Sequence, residues 1–478
     1  MEPCPVKLNE YSKLDATGLA ALVAEGTVTP SELLETALDA VSAVNGPLNA
    51  VVATFADEAL QRIEAGLPKG PFTGVPFMLK DLTAHYGGQP TGSGWPPRLG
   101  YKAARDSELV RRFKQAGLVI FAKTAVPELA MDWTTRSTAH GVTSNPWNLG
   151  HTAGTSSGGT AAAVASRMVP MGHGNDGGGS IRVPASCCAC FGLKPTRGRN
   201  PVAPAGDTWQ GMLVEHALTR SVRDSAALLD ATAGIYPGQF FNNPPGANFA
   251  AEVGRDPGRL RIAVSTKAPY GAPTHSDCKK AVAETVKLLE SLGHVCEERD
   301  VVLPANGWEA FETFILAEYA ADMRAEESVL GRKLTQADFP TMLWEMIEAG
   351  NRISAVDLNM AVAGLHKVAE AVTSVFSDYD VFLSPALAQP PLPHDAFPVS
   401  ADMRSHYEFY LSWMPFTHVF NVNGSPAASL PLHWNEAGLP IGIQLATAPA
   451  GEALLLSLAG QLEQARPWAG KRPQICID

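Results

Sequence analysis

Two glycine- and serine-rich loops decide the fold: Gly154-Thr155-Ser156-Ser157-Gly158-Gly159 and Gly177-Gly178-Gly179-Ser180-Ile181-Arg182. Glycine lets a backbone approach a ligand closely and lets successive N–H groups turn towards one side. Such N–H groups can hold the oxyanion that forms when a neighbouring serine attacks a carbonyl carbon. One such loop alone is more typical of a tight turn. Two serine-bearing loops close together in the sequence predict an acyl-transfer site.

Short apolar runs flank the loops and alternate with helical segments. Residues 75–79 and 118–122 predict buried strands because they are too short for ordinary helices, and residues 107–115 between them have amphipathic helical spacing. Residues 161–164 continue as a helix and residues 169–171 as a strand. This order is typical of a largely parallel sheet covered by helices. We therefore predict an α/β fold with a large mixed, mostly parallel β-sheet.

The rest of the chain predicts a single large domain. Residues 1–70 are predicted to be helical and to pack on the outside of a main domain of residues 71–478. Most of the predicted helix in the main domain lies in an insertion at about 277–376. Apolar runs return at 380–383 and 441–445, so the C-terminal segment is expected to complete the sheet.

Composition excludes several classes of protein. Among 478 residues, 37 Lys and Arg face 48 Asp and Glu, which gives a net charge of −11 and disfavours nucleic acid or an anionic membrane as partner. No apolar run approaches the roughly 18 residues of a membrane helix. Residues 1–7 lack the pattern of a signal peptide, and the neighbouring Cys187, Cys188 and Cys190 are typical of a reducing compartment. A cytoplasmic protein is expected.

Lys80 is a candidate base for a serine nucleophile. It closes the apolar run 75–79, and burial of a lysine lowers its pKa so that a neutral amine can accept a proton. Neither loop has the lysine of a phosphate-binding loop, and Ser180 does not lie in a Gly-x-Ser-x-Gly elbow. His173, close to the second loop, is expected to be structural. No cysteine or histidine spacing indicates a metal site.

Lys80, Ser156 and Ser180, with their flanking glycines, resemble the Ser–cis-Ser–Lys triad of the amidase signature family. The segments that match the family are residues 74–81, 154–199 and 421–440. The resemblance covers nearly the whole chain and implies the amidase signature fold.

The resemblance also implies a role for each of these side chains. Ser180 is the nucleophile, Ser156, held by a cis peptide bond, relays protons, and Lys80, neutral at rest, is the base. Ser180 would attack the carbonyl, the proton would reach the leaving amine through Ser156, and water would then hydrolyse the acyl-enzyme. The chemistry needs neither a metal nor an organic cofactor.

Supporting roles are implied around the second loop. The backbone N–H groups that would hold the oxyanion are those of Gly177, Gly178, Gly179 and Ser180. Ser157 is expected to support Lys80 by a hydrogen bond, and Asp176 with Arg182 is expected to brace the loop. The family commonly has threonine where Gly177 stands, so a looser loop is expected.

The implied reaction is hydrolysis of the C–N bond of a small-molecule carboxylic amide by a monomer or homodimer. Residues 173–176, residues 344–346 and the run from 415–417 through 432–435 resemble the cyclic-dimer hydrolases of the family, so cyclic or oligomeric amides are candidate substrates. Carbamates present a similar carbonyl and are a further hypothesis. Candidate residues for an apolar, aryl-tolerant pocket are Phe311, Phe314, Ile315, Trp344, Tyr410, Trp413 and Phe416.

Two alternatives stay open. The first is the catalytic subunit of a glutamyl-tRNA amidotransferase-type complex, which releases ammonia from glutamine; residues 209–218 depart from the stretch usual in that subunit. The second is a catalytically silent module that keeps the loops as a ligand cradle, which the intact triad disfavours.

Overall fold

The computed structural model describes residues 8–243, 248–397 and 402–477. The first helices and strands are α1 (Leu8–Tyr11), α2 (Ala16–Ala24), α3 (Pro30–Leu48), β1 (Val51–Thr54), α4 (Ala56–Glu64), β2 (Pro76–Lys80), α5 (Glu108–Gln115) and β3 (Val119–Thr124). Those that carry the two loops are β4 (Arg136–Ser137), β5 (Gly141–Val142), β6 (Ser144–Asn145), β7 (Asn148–Thr152), α6 (Gly158–Ala165), β8 (Met171–Asp176), α7 (Arg182–Cys188), β9 (Phe191–Lys194), β10 (Val214–Thr219) and α8 (Val222–Thr232).

The second half of the chain is mainly helical before it returns to the sheet. Its helices and strands are α9 (Phe249–Glu252), β11 (Arg261–Val264), α10 (Ser276–Ser291), β12 (Val295–Glu298), α11 (Gly307–Leu330), α12 (Thr341–Asn351), α13 (Ala355–Thr373), β13 (Val381–Pro385), α14 (Met403–Trp413), α15 (Val419–Val422), β14 (Ala427–Trp434), β15 (Pro440–Thr447) and α16 (Glu452–Ala465). Among the helices of the described ranges, none is both long enough and apolar enough to cross a membrane.

One mixed sheet forms the centre of the fold. In the described residues it has eleven strands in the order β1-β3-β2-β8-β10-β9-β14-β15-β13-β11-β12. Only β2 with its neighbours β3 and β8, and β11 with its neighbours β12 and β13, pair in parallel. The other pairs are antiparallel. The predicted mixed α/β sheet is confirmed, but "mostly parallel" is wrong, because connections such as the short turn from β14 to β15 permit only antiparallel pairing.

The predicted N-terminal segment is not purely helical. Within residues 1–70, β1 adds an antiparallel edge strand to β3, and residues 1–7 lie outside the described residues. The predicted insertion 277–376 is mainly helical, although β12 within it forms the opposite edge of the sheet. The C-terminal strands β13, β14 and β15 complete the sheet as predicted.

The strand before the second loop lies further along the chain than residues 169–171. The observed β8 starts at Met171 and stays buried to Asp176, and glycines within it hide its strand character in the sequence. Gly172 is required here, because a Cβ at this position would lie 2.7 Å from the side chain of Thr160 in α6.

The two loops and the lysine meet at the C-terminal ends of two central strands. Strands β2 and β8 are parallel neighbours, with Met78 opposite Gly172, so they finish at the same end of the sheet, β2 at Lys80 and β8 at Asp176. Helices α6 and α7 begin directly after the two serine-bearing loops. Residues from the two loops and from the segments that follow β2 and β8 are thereby gathered around one cavity.

Candidate active site

Lys80 is a fully buried amine at the end of β2. Its Nζ donates hydrogen bonds to Ser156 Oγ at 2.7 Å and to Asn175 Oδ1 at 2.5 Å. Burial lowers the pKa of Lys80 to about 7, although the negative charges of Glu215 and Asp176 oppose that shift. A substantial fraction of the amine is therefore neutral near neutral pH.

The first loop places Ser156 between the lysine and the second loop. The peptide bond from Thr155 to Ser156 is cis, and the Thr155 hydroxyl donates to the carbonyl of Asp132 at 2.5 Å. The backbone N–H of Ser157 donates to the carbonyl of Ser180 at 3.3 Å and so ties the two loops together. Ser156 is buried, Ser180 is half-buried, and both line the same cavity.

Asn175 makes the hydrogen bond to Lys80 that the sequence analysis assigned to Ser157. In the described part of the chain the Ser157 hydroxyl donates to the carbonyl of Asn175 at 3.4 Å and makes no hydrogen bond to Lys80. The predicted Ser157–Lys80 hydrogen bond is therefore wrong: Ser156 and the side-chain oxygen of Asn175 accept from the amine instead. The amide nitrogen of Asn175 donates to Thr83 Oγ1 at 2.9 Å, which turns its oxygen towards Lys80.

A buried ion pair braces the second loop. Arg182 donates to both carboxylate oxygens of Asp176, at 2.8 and 3.0 Å, and both side chains are fully buried. Burial alone would raise the pKa of Asp176, but the charge and hydrogen bonds of Arg182 lower it to about 2. Arg182 also donates to Asn421 Oδ1 at 2.6 Å and to the carbonyl of Thr417 at 2.7 Å, which fixes the loop to the C-terminal part of the chain.

Gly179 does not fit the predicted oxyanion role. Its backbone N–H donates to Asp176 Oδ1 at 2.8 Å, so that hydrogen is already committed to the brace. Its φ of 140° and the position of Thr417, whose Oγ1 would lie 2.4 Å from an added Cβ, explain why glycine is required here. Gly177, Gly178 and Ser180, in contrast, line the cavity.

Two hydroxyls that the sequence analysis did not single out for the loop hold one of its carbonyls. The Thr417 hydroxyl donates to the carbonyl of Gly178 at 2.6 Å, and the Tyr410 hydroxyl donates to the same oxygen at 3.3 Å. The sequence signal that could have pointed to Thr417 is the resemblance that begins at residues 415–417.

Gly177 makes room for an aromatic ring. An added Cβ would lie 3.0 Å from the indole ring of Trp209, so the ring packs against the glycine. A larger side chain at this position would displace the ring, and the expected loosening of the loop stays a prediction.

The cavity at the serines has a volume of about 160 Å³ and a mainly apolar wall. Of the predicted pocket residues, Phe311, Ile315 and Tyr410 line it. Those that do not are Phe314, Trp344, Trp413 and Phe416. Aromatic residues of the wall that sequence reasoning missed are Trp133, Trp209, Trp308 and Tyr407.

Helical geometry explains this division of the predicted pocket residues. On α11, Phe311 and Ile315 are one turn apart and face the cavity, whereas Phe314 is buried in the core behind it. Trp413, the last residue of α14, is also completely buried in the core. Aromatic content alone could not separate the two environments.

A second, larger cavity of about 860 Å³ lies beside the first. The two are separated by Trp133 and His406, whose rings stack with centroids 4.1 Å apart. None of Lys80, Ser156 and Ser180 lines this larger cavity, so its position does not suit acyl transfer.

His173 is structural, as predicted. It is buried in β8, and its Nε2 lies 2.6 Å from Glu215 Oε2 on the neighbouring strand β10. Burial lowers the pKa of His173, although the charge and hydrogen bond of Glu215 oppose that shift.

A family model described as Amidase matches residues 32–456. The chain belongs to the amidase signature family. This amidase is 37% identical over 479 residues to the 6-aminohexanoate-cyclic-dimer hydrolase of Paenarthrobacter ureafaciens, with 96% of each chain covered. The match begins within residues 1–70, which therefore belong in part to the family's own fold, and the boundary at residue 71 stays a prediction.

Solved structures show the same relationship. The fold of this amidase is similar to that of a 6-aminohexanoate cyclic dimer hydrolase complexed with substrate, with a TM-score of 0.93 and 35% identity over 97% of this chain and 99% of that one. It is also similar to a bacterial aryl acylamidase, with a TM-score of 0.86 and 26% identity over 96% and 99%. The predicted resemblance to the cyclic-dimer hydrolases is confirmed, and this amidase is an enzyme that hydrolyses amide bonds.

Proposed function

We propose that this amidase cleaves the C–N bond of apolar or aryl carboxylic amides through an acyl-enzyme on Ser180. The observation that carries the proposal is the buried Lys80 amine, whose pKa is lowered to about 7 and which donates to Ser156. Ser156 lines one cavity with Ser180 and accepts from Lys80, so it is placed to relay a proton from Ser180 to the lysine.

In the proposed mechanism the first half-reaction forms the ester bond. Ser180 Oγ attacks the carbonyl carbon, and its proton passes to Ser156 as the Ser156 proton passes to neutral Lys80. The route then runs in reverse, so that the leaving nitrogen receives a proton and departs as the amine. Water repeats the same steps in the second half-reaction and releases the carboxylic acid.

The oxyanion is proposed to bind to backbone N–H groups of the second loop. Gly177, Gly178 and Ser180 are the candidates, because they line the cavity and Gly179 is committed to Asp176. The Asp176–Arg182 pair and Thr417 hold this loop in place before substrate arrives, and a donor set that needs no rearrangement stabilises the transition state most.

The wall of the cavity supports an apolar acyl or amine group. Trp133, Trp308, Phe311 and Tyr407 are among the side chains that face it. A carbamate has the same carbonyl geometry as an amide, so carbamates are proposed as further substrates. Cyclic or oligomeric amides are proposed because the relatives named above include cyclic-dimer hydrolases.

The test is amine release from a matched panel: an acyl p-nitroanilide, the carbamate of the same aniline, a cyclic diamide and glutamine. We expect release from the anilide and at least one further amide, and loss of at least about a thousandfold in Ser180→Ala. The matched control is Ser412→Ala in α14, whose hydroxyl donates to a carbonyl of its own helix.

The outcomes separate the candidates. Release that survives in Ser180→Ala overturns the assignment of the nucleophile. Release from the anilide but not from its carbamate removes only the carbamates. Ammonia from glutamine alone supports the amidotransferase-type alternative.

A further inference from the structure

A single carboxylate stands in the otherwise mainly apolar wall of the catalytic cavity. Within the described part of the chain, Asp322 of α11 is the only acidic side chain that lines it. The indole Nε1 of Trp209 donates to Asp322 Oδ2 at 3.1 Å, and Asp322 forms no ion pair with any described residue. The carboxylate is therefore fixed in place without a cation beside it.

Trp209 sets how far Asp322 lies from the reacting carbonyl. One edge of the indole packs against Gly177 of the second loop, and its nitrogen reaches Asp322. The backbone at Trp209 and Gln210 is left-handed, with φ of 53° and 49°, a conformation that is costly for residues other than glycine. This backbone holds Asp322 one indole ring away from the proposed oxyanion site.

The surroundings of Asp322 disfavour the charged form of its carboxylate. Burial raises the pKa of Asp322, and the negative charge of Glu326 one turn away raises it further. Arg98 pairs with Glu326, whereas Glu318, one turn earlier on α11, adds to the negative charge. A half-buried carboxylate with acidic neighbours is stabilised by a cation that enters the cavity.

We propose that Asp322 binds an ammonium group of the substrate, so that this amidase prefers amides carrying a primary amine at the end of an alkyl chain. Asp322 would accept a charge-assisted hydrogen bond from that ammonium while the scissile carbonyl lies at Ser180. The inference rests on the proposed function and adds to it a substrate class and a specificity-determining residue. Aromatic side chains that line the same cavity as Asp322 and Ser180 suit the methylene groups of such a chain.

The first test compares two pairs of isosteric amides, one varied on each side of the scissile bond. The acyl-side pair is the p-nitroanilide of 6-aminohexanoic acid and that of heptanoic acid. The amine-side pair is the hexanoyl amide of 1,6-diaminohexane and that of heptylamine. We expect wild type to favour the ammonium compound of at least one pair by about tenfold or more in kcat/KM.

Variants assign that preference to one carboxylate. In Asp322→Asn the kcat/KM ratio within the pair is expected to fall to near one, and the side-chain oxygen of asparagine still accepts from Trp209. The control Glu309→Gln makes the same charge change on the exposed side of the same helix, more than three turns from Asp322 and outside the cavity, and should keep the wild-type ratio. The inference is overturned if wild type shows no preference in either pair, or if Asp322→Asn keeps the preference.

A binding measurement separates this inference from the proposed function. Ser180→Ala is titrated with hexylammonium and with 1-hexanol in a calorimeter, which needs no turnover. Tighter binding of hexylammonium that is lost in the Ser180→Ala, Asp322→Asn double variant supports the ammonium site. Equal binding of the two ligands overturns it, while cleavage of the neutral anilide would still support the proposed function.

Discussion

Lys80 and Asn175 are joined by a hydrogen bond between their side chains, with Nζ 2.5 Å from Oδ1. The acceptor is a neutral amide oxygen, so it orients the amine without adding the negative charge that would raise its pKa. Thr83 accepts from the amide nitrogen and thereby fixes which end of Asn175 faces the lysine. A proton acceptor is thus held in place by an uncharged partner.

The titration of Lys80 sets the expected pH dependence. Its pKa is lowered to about 7 because the amine is buried, and only the neutral amine can accept a proton. We expect kcat/KM for a neutral p-nitroanilide to rise with pH through an apparent pKa of about 7 and then to level off. A stopped assay between about pH 5 and 9 measures this, with incubation controls for stability. A flat profile across that range contradicts the role given to Lys80.

Asn175→Asp places a carboxylate next to the amine at nearly the same shape. The new negative charge favours the protonated lysine, so the acidic limb of the profile should move to higher pH by about one pH unit or more. The control is Asn359→Asp on the exposed face of α13, which should leave the limb where it is. If the acidic limb of the kcat/KM profile stays at the same pH in Asn175→Asp, that limb reports the titration of a group other than Lys80.

Thr417→Val removes the hydroxyl that donates to the carbonyl of Gly178 and keeps the shape of the side chain. Because the second loop then loses a fixed point, we expect kcat to fall about tenfold with little change in KM. Thr417→Ser keeps the donor and should recover most of the rate. Equal rates in the valine and serine variants would assign the effect to packing instead of to the hydrogen bond.

Glu452 supports the fold far from the cavity. It is buried at the start of α16, accepts from Arg199 at 2.9 Å and caps the backbone N–H of Thr196 at 2.9 Å. Glu452→Gln is expected to lower the free energy of unfolding by about 3–5 kcal/mol, because a buried ion pair is broken. Urea unfolding measures this. The control Glu252→Gln, whose partner Arg255 is exposed, should change it by less than about 1 kcal/mol.

Site residues could be predicted from the sequence where the interactions that place them are local in the chain. The serine-bearing loops, Lys80 and the Asp176–Arg182 brace were predictable, because short stretches of sequence carry them. The partner of the lysine was not, since Asn175 lies 95 residues from Lys80 and reaches it only through the parallel pairing of β2 with β8. The register of two strands decided that contact.

The amino-acid sequence was sufficient to predict the family, the chemistry that the loops can perform, and the strands β2 and β3 with helix α5 between them, because glycine, hydroxyl and apolar patterns act locally on the backbone. Tertiary structure alone decided that Gly179 is committed to Asp176, that Thr417 holds Gly178, and that Asp322 stands in the cavity wall. Thr417 lies 239 residues from Gly178, so their contact exists only once the segment between α14 and α15 docks against the second loop. Docking depends on the summed packing of many side chains, which no single stretch of sequence encodes.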